Sequence, residues 1–291
     1  MALTISIVTP NRNSGHLVGE TIDNVIGQSG VDLDYVVIDG ASTDDSKAVI
    51  ASKLTASARL VSEPDEGLYD ALNKGFRLTR GDIMGWLNAG DLLLPNALPV
   101  VADIFATFPA VEWLTSRILT LLDQRGRIVL QALHHGFERH GFLRGDTLPG
   151  FGGGPVATYI QQESTFWRRS LWERAGSRFD ARLRLAGDFE LWARFFMHAE
   201  LWSVSAPLGA FRKHQGQLSE VHSSAYTREA SDVLRAHGGQ PRSAAGAAAR
   251  MFLRRTTPRA LRPAAHRLGL FRPAPIIDYD FESQTWRCSR L

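Results

Sequence analysis

Cysteine is nearly missing from this 291-residue chain, with Cys288 near the end as the single example. An intrachain disulfide framework or a cysteine-ligated metal cluster is therefore excluded, and a reducing compartment is expected. Long apolar runs are missing as well, so no stretch reads as a membrane span. The start of the chain leads straight into Ile5-Ser6-Ile7-Val8, which reads as a strand rather than a signal peptide. Glycine is lacking where two nucleotide-using classes need it. After the first strand stands Thr9-Pro10-Asn11-Arg12-Asn13-Ser14-Gly15, not G-x-G-x-x-G, which argues against a nicotinamide enzyme. The same stretch offers no glycine-rich triphosphate loop, which argues against a nucleotidyltransferase. Acidic residues are absent from Pro241 to Ile277, a block that contains many arginines. The rest of the chain shows no interleaving of aromatic and basic residues, so nucleic acid is not an expected partner.

What is present is ordinary for a globular protein: 44% hydrophobic residues, 22% charged and a formal net charge of +3. The stretch Ser62–Asp91, SEPDEGLYDALNKGFRLTRGDIMGWLNAGD, carries the clearest pattern. Leu68, Ala71, Leu72, Gly75 and Leu78 recur at helical spacing, and Ile83–Leu87 suits a buried strand. Before it, Thr4–Thr9, Tyr35–Ile38 and Arg59–Ser62 read as strands. Leu17–Gln28 and a helix ending near Leu54, capped by Ser42 or Thr43, alternate with them. This alternation predicts an α/β fold with a mostly parallel central sheet and flanking helices. Farther on, helices are expected at Pro95–Phe108, Ser170–Ala175, Gly187–His198 and Ser223–His237. Strands are expected at Glu112–Thr120, Arg127–Leu133, Gln162–Trp167, Leu201–Ser205 and Leu208–Arg212. Phe151–Pro155 reads as a loop. Gly238-Gly239-Gln240-Pro241 marks a boundary, giving a domain over 1–238, with halves 1–94 and 95–238, and a basic appendage over 239–291. In that appendage Ala244–Arg255 is a helix candidate and Ile276–Trp286 a terminal piece.

Parallel strands would bring Thr9–Arg12, Asp39, Ser62–Asp65 and Asn88–Asp91 to one edge, where open α/β sheets bind ligands. There Asp39 can accept hydrogen bonds from a ribose or base, and Asp91 can hold Mg²⁺ or Mn²⁺ against a diphosphate. Turn chemistry is the plainer explanation for any one of these residues alone. Asp188 shares a helical face with Leu191, Trp192 and Phe195, and is either an N-cap or a buried general base. Glu190 points away, toward solvent or a supporting role. His214 can complete a cation's coordination, and Arg212 and Lys213 can neutralise a diphosphate.

These motifs resemble family 2 glycosyltransferases of GT-A fold, the inverting, nucleotide-sugar-dependent type of bacterial surface-polysaccharide assembly. The resemblance covers about residues 3–237. It implies that Thr9, Pro10, Asn11 and Arg12 form the nucleotide loop and that Asp39, in Asp39-Gly40-Ala41-Ser42-Thr43-Asp44, contacts the nucleoside. Glu63, Asp65, Asp70, Asn73 and Lys74 would line the donor site. Asn88, Ala89, Gly90 and Asp91 stand at the DxD-like metal motif, with Asn88 and Gly90 in place of acids. Gly187-Asp188 stands at the ED motif, with glycine for glutamate and Asp188 as catalytic base. Arg212 and His214 belong to a downstream segment that closes over the diphosphate and completes the metal site.

The function so implied is metal-dependent transfer of a sugar from a nucleotide-diphosphate sugar, UDP-linked by preference, to an acceptor hydroxyl. Mn²⁺ or Mg²⁺ is the expected cofactor, and a saccharide or lipid-linked saccharide the expected acceptor, bound through loops such as Leu148–Thr158. The alternative is a non-catalytic nucleotide-sugar-binding module of the same fold, or a sugar-phosphate nucleotidyltransferase. The arginines and apolar residues of 241–272 suit peripheral contact with anionic lipid, or packing on the domain or another subunit. A cytoplasmic protein, peripheral on the inner face of the membrane, is the expected setting.

Overall fold

The computed structural model describes residues 3–55, 58–148, 159–213, 223–241 and 272–290, together with part of 243–270. The first half is built of alternating strands and helices: β1 (Thr4–Asn11), α1 (Gly15–Ile26), β2 (Asp32–Asp39), α2 (Ser46–Lys53), β3 (Ala58–Ser62), α3 (Leu68–Leu78) and β4 (Ile83–Trp86). Then come β5 (Leu92–Leu93), α4 (Ala97–Thr107), β6 (Trp113–Ser116), β7 (Ile118–Leu122), β8 (Ile128–Leu133) and α5 (Arg139–Leu143). The later elements are β9 (Thr165–Arg168), α6 (Arg169–Arg174), α7 (Gly187–His198), β10 (Leu201–Val204), β11 (Gly209–Arg212), α8 (Ser223–Ala236), α9 (Arg262–Arg267), β12 (Pro275–Asp280) and β13 (Thr285–Arg290).

Among the described residues, nine strands form the central sheet in the order β13-β12-β10-β6-β9-β4-β1-β2-β3. Only β9 and β13 pair antiparallel with their neighbours, so the sheet is mostly parallel, as the alternation predicted. A side sheet, β5-β11-β7-β8, packs beside it. Strand side chains alternate between two cores. Ile5, Ile7, Tyr35, Val37 and Ile83 join α1, α2 and α4 on one face. Val8, Val36, Ile38 and Met84 join α3, α6, α7 and α8 on the other. Gly75 lets α3 approach β1, because a Cβ there would lie 2.4 Å from a Val8 methyl.

The second core is aromatic. Trp192 of α7 lies 5.8 Å from Trp86, 5.6 Å from Trp113 and 5.8 Å from Trp167, ring centre to ring centre. These contacts seat α7 on the sheet one turn beyond Asp188.

Three local expectations differ from the structure. Glu112–Thr120 is two strands in two sheets, because the chain turns at Arg117. That buried arginine bonds the His134 carbonyl and the Ser205 hydroxyl. The first turn of α2 follows Asp45, and Ser42 is used elsewhere. Gln162–Ser164 is a 3-10 turn, and β9 starts at Thr165. The terminal piece is a β12–β13 hairpin whose Ile276 and Ile277 pair with Ser203 and Val204, so the end of the appendage extends the central sheet. Phe151–Pro155 and much of Ala244–Arg255 lie outside the described residues.

Candidate active site

The carboxyl ends of β1 and β4 open into a cleft of about 570 Å³. Pro10, Asn11 and Arg12 form one part of its wall, Asp65 another, and Asn88–Asp91 a third. Asp188, Arg184 and Leu185 enter from the start of α7, and Tyr226 from α8. The structure thus brings together Pro10, Asn11, Arg12, Asp65, Asn88, Ala89, Gly90, Asp91 and Asp188 of the expected site residues.

Others stand outside the cleft wall. Thr9 is buried and accepts from the Tyr35 hydroxyl at 2.9 Å. Asn73 clamps the Phe179 backbone at 3.0 and 2.8 Å. Lys74 forms ion pairs with Glu63 and Asp70, each at 3.2 Å. Arg212 is 2% exposed and lies behind the metal motif, bonding the Gly90 carbonyl at 2.7 Å and Glu20 at 2.7 Å. In this arrangement it braces the loop rather than facing the cleft. Glu190 is paired with Arg194 on its own helix. His214 and much of Leu148–Thr158 lie outside the described residues.

Asp39 is completely buried, and protein donors take both of its oxygens. Asn11 Nδ2 (2.8 Å) and Ser42 Oγ (2.5 Å) reach Oδ1; Ser42 N (3.1 Å) and Ser62 Oγ (2.7 Å) reach Oδ2. Burial pushes its pKa up, but bonds from Ser42, Ser62 and Asn11 outweigh burial and hold it below the ordinary value.

Asp91 is the opposite case. Its Oδ1 accepts the Arg212 amide at 3.0 Å, while among the described residues Oδ2 has only long contacts at 3.4 Å from Asn88 Nδ2 and Gln162 Nε2. Burial, only partly offset by the Arg212 amide and Asn88, raises its pKa to about 7. Glu163, buried nearby, is pushed well up by burial and by the charge of Asp91. Among the described residues, Asn88 Oδ1 and Gln162 Oε1 are buried and have no hydrogen-bond partner. A carboxylate and two amides thus offer oxygen donors at one wall, the chemistry a hard divalent cation takes, and the residues fit Mn²⁺ or Mg²⁺. Among the described residues, no group of three or more His, Cys, Asp or Glu could hold a metal. Gly90, standing where an acid was expected, has φ +106°, a conformation that favours glycine in the turn.

Asp188 is the second residue of α7, whose N-cap is Ala186, so the N-cap reading of Asp188 does not hold. Tyr226 Oη donates to its carboxylate at 3.3 and 3.4 Å. Burial raises its pKa to about 6, against bonds from Phe189 N and Tyr226. The glycine that replaces the acid of the ED motif has a steric reason. A Cβ at Gly187 would lie 2.7 Å from the Tyr69 ring, whose hydroxyl bonds the Leu185 carbonyl at 2.7 Å. Gln162, Glu163, Tyr69, Tyr226 and Glu229 were not expected in the site. Apart from Tyr69, which stands in the patterned stretch Ser62–Asp91, their sequence surroundings are plain, and only distant pairing brings them here.

A mostly parallel sheet whose strand ends gather Pro10–Arg12, Asp91 and the half-buried Asp188 in one cleft is the layout of the GT-A glycosyltransferase fold. Residues 6–150 match the model of glycosyl transferase family 2. The chain belongs to that family. It is 26% identical over 137 residues to an uncharacterised glycosyltransferase of Nostoc sp. strain PCC 7120, covering 46% of this chain and 42% of that one. It is 28% identical over 103 residues to chondroitin synthase of Escherichia coli, covering 35% and 15%. It is 34% identical over 115 residues to the O-antigen biosynthesis protein RfbC of Myxococcus xanthus, covering 38% and 9%. Each match takes in less than half of the relative's length. Among solved structures, Staphylococcus aureus TarS with UDP-GlcNAc aligns over 92% of this chain and 76% of its own, with TM-score 0.62 and 16% identity. A mannosyltransferase of Pyrobaculum calidifontis with GDP-Man and Mn²⁺ aligns over 92% and 80%, with TM-score 0.52 and 18% identity. At these identities the likeness concerns the fold.

Proposed function

We propose that this chain transfers a sugar from a nucleotide-diphosphate sugar to an acceptor hydroxyl with inversion at the anomeric carbon, in the assembly of a polysaccharide or other glycoconjugate. The observation that carries the reading is Asp188, a carboxylate with raised pKa that lines the same cleft as Pro10–Arg12 and Asp91. A base near neutrality can take a proton from a hydroxyl and still be ionised at working pH. The acceptor oxygen attacks the anomeric carbon as Asp188 removes its proton. The bond to the diphosphate oxygen breaks, and the nucleoside diphosphate leaves. One displacement of this kind inverts configuration.

Arg12 lines the donor side of the cleft and is 3.6 Å from Asp65. Asp91, Asn88 and Gln162 would hold the divalent cation, which when bound supplies positive charge to the leaving diphosphate. Uridine is the preferred base, in keeping with relatives of this fold bound to UDP and UDP-GlcNAc. The acceptor is a saccharide or lipid-linked saccharide. Phe252, Leu253, Leu261, Leu268 and Leu270 are exposed in the acid-free block, which supports docking of that block on anionic lipid. Among the described residues, no helix is long and apolar enough to cross a membrane.

A thermal-shift panel of UDP, GDP, CDP and dTDP, with and without Mn²⁺, tests the donor reading. A Mn²⁺-dependent rise with one nucleotide is expected, and Asp91→Ala should remove the Mn²⁺-dependent part. No rise with any nucleotide would count against a donor site. Binding without turnover of any nucleotide sugar would favour the non-catalytic module. Sedimentation with phosphatidylglycerol vesicles should carry the protein down, and loss of residues 241–272 should reduce it; equal sedimentation with neutral vesicles would sink the lipid reading.

A further inference from the structure

The side chains that hold Asp188 come from a helix outside every motif. Tyr226 and Glu229 stand three residues apart on α8, on the same face. Glu229 accepts three successive backbone N–H groups: Arg184 at 3.1 Å on Oε1, then Leu185 at 2.8 Å and Ala186 at 2.6 Å on Oε2. These residues lead directly into α7. Tyr226 reaches past them to the Asp188 carboxylate. From the opposite side, the Tyr69 hydroxyl bonds the Leu185 carbonyl and accepts the Asp188 amide at 3.4 Å. Few of these bonds are needed to start a helix, since α7 is already seated by Trp192 and its aromatic neighbours. Their shared product is one fixed place for one carboxylate.

We infer that Tyr226 and Glu229 are positioning residues for the catalytic base: Glu229 fixes the backbone entering α7, and Tyr226 orients the Asp188 carboxylate toward the acceptor hydroxyl. This rests on the reading of Asp188 as the base. A base held by an aliphatic hydrocarbon wall alone would sample several rotamers, and misplacement of about 1 Å costs on the order of 10²-fold in rate. The titratable groups around Asp188 are Tyr69 on α3, Tyr226 and Glu229 on α8, and the buried Glu163 before β9. The exposed Arg184 lines the same cleft. Within this set the two α8 residues act with opposite sign. The Tyr226 O–H favours the ionised carboxylate, and the charge of Glu229 disfavours it.

The test compares Tyr226→Phe and Glu229→Gln in the full chain, following UDP release from UDP-glucose and UDP-N-acetylglucosamine against pH. Tyr226→Phe should move the acid limb of kcat to higher pH, and Glu229→Gln should move it to lower pH. Each should lower kcat about 10-fold or more while the KM for donor stays within about 2-fold. Limbs that stay in place, or move together, overturn the inference. Two readouts need no turnover. Hydrogen exchange at the amides of residues 184–186 should rise in Glu229→Gln and not in Tyr226→Phe. A double-mutant cycle of Tyr226→Phe with Asp188→Ala, which removes the acceptor, should show coupling in the unfolding free energy at pH 7.5. Unchanged protection at 184–186, or additive effects in the cycle, would also overturn it. Should Asp188→Asn itself retain turnover, the base assignment falls rather than the positioning by α8 alone.

Discussion

Asp39 and Asp188 are both aspartates at the head of the sheet, and the protein treats them in opposite ways. Asp39, at the end of β2, has four protein hydrogen bonds on its two oxygens, and its pKa is lowered. Asp188, at the start of α7, has long bonds from one tyrosine and a raised pKa. The first carboxylate is used up in joining β1, β2, β3 and the Ser42 turn. The second keeps capacity for a proton. What separates the saturated acid from the one that keeps capacity for a proton is the number of donors around it: four on Asp39, against long bonds from one hydroxyl on the half-buried Asp188. Asp91 falls on the reactive side, with one good bond and one oxygen in the cleft.

The largest expected effect on stability comes from emptying the saturated site. Asp39→Ala would leave the Asn11, Ser42 and Ser62 donors without their acceptor, costing about 3 kcal/mol or more in urea unfolding. A loss below about 1 kcal/mol would erase the contrast. Next is Gly187→Ala, which presses a methyl against the Tyr69 ring and should cost roughly 1–3 kcal/mol. If the clash is real, Tyr69→Ala in the same chain should relieve part of that cost in a double-mutant cycle.

The smallest effect has the sharpest sign. The folded pKa of Asp188 lies above its unfolded value, so the folded state holds the proton more tightly. This group's contribution is therefore fully favourable below about pH 4 and is lost as pH rises through about 6. Asp188→Asn should consequently stabilise the protein by roughly 1–2 kcal/mol at pH 7.5 and by almost nothing near pH 4. Asp39 has the opposite linkage. Its contribution is present above the unfolded carboxylate pKa and fades as pH falls through its lowered folded value. A melting series from about pH 2 to about pH 8 checks both signs, Asp188 in the upper part and Asp39 below about pH 4.

Much of this was legible in the sequence because the signals were local. The period of Leu68, Ala71, Leu72 and Gly75 gave α3, and the apolar run Ile83–Leu87 gave β4. Gly187–His198 is the observed α7. Asn88–Asp91 stood out because several strand ends with polar and acidic residues fall at one sheet edge, and Asp188 because an acid on an apolar helix face is chemically odd. What was not legible depended on distant partners. Nothing near Asp39 announces that Ser62, 23 residues on, will fill one of its oxygens. Arg212 follows an apolar run beside Lys213, and its burial behind Gly90 is set by a partner 122 residues away. Tyr226 reaches Asp188 from 38 residues downstream, on a helix whose sequence is mostly polar. Ile276–Trp286 read only as a terminal piece, and the pairing of Ile276 and Ile277 with β10 is a tertiary outcome.

The most direct test of the account is turnover by Asp188→Asn. Asparagine keeps the shape of the site and can still accept from Tyr226, but it is far too weak a base for the proton transfer. The account predicts a thermal shift with nucleotide and Mn²⁺ equal to that of the unsubstituted protein, together with a fall in nucleotide-sugar turnover of about 10³-fold or more. Turnover within about 10-fold of the unsubstituted protein would contradict it and remove Asp188 from the reaction.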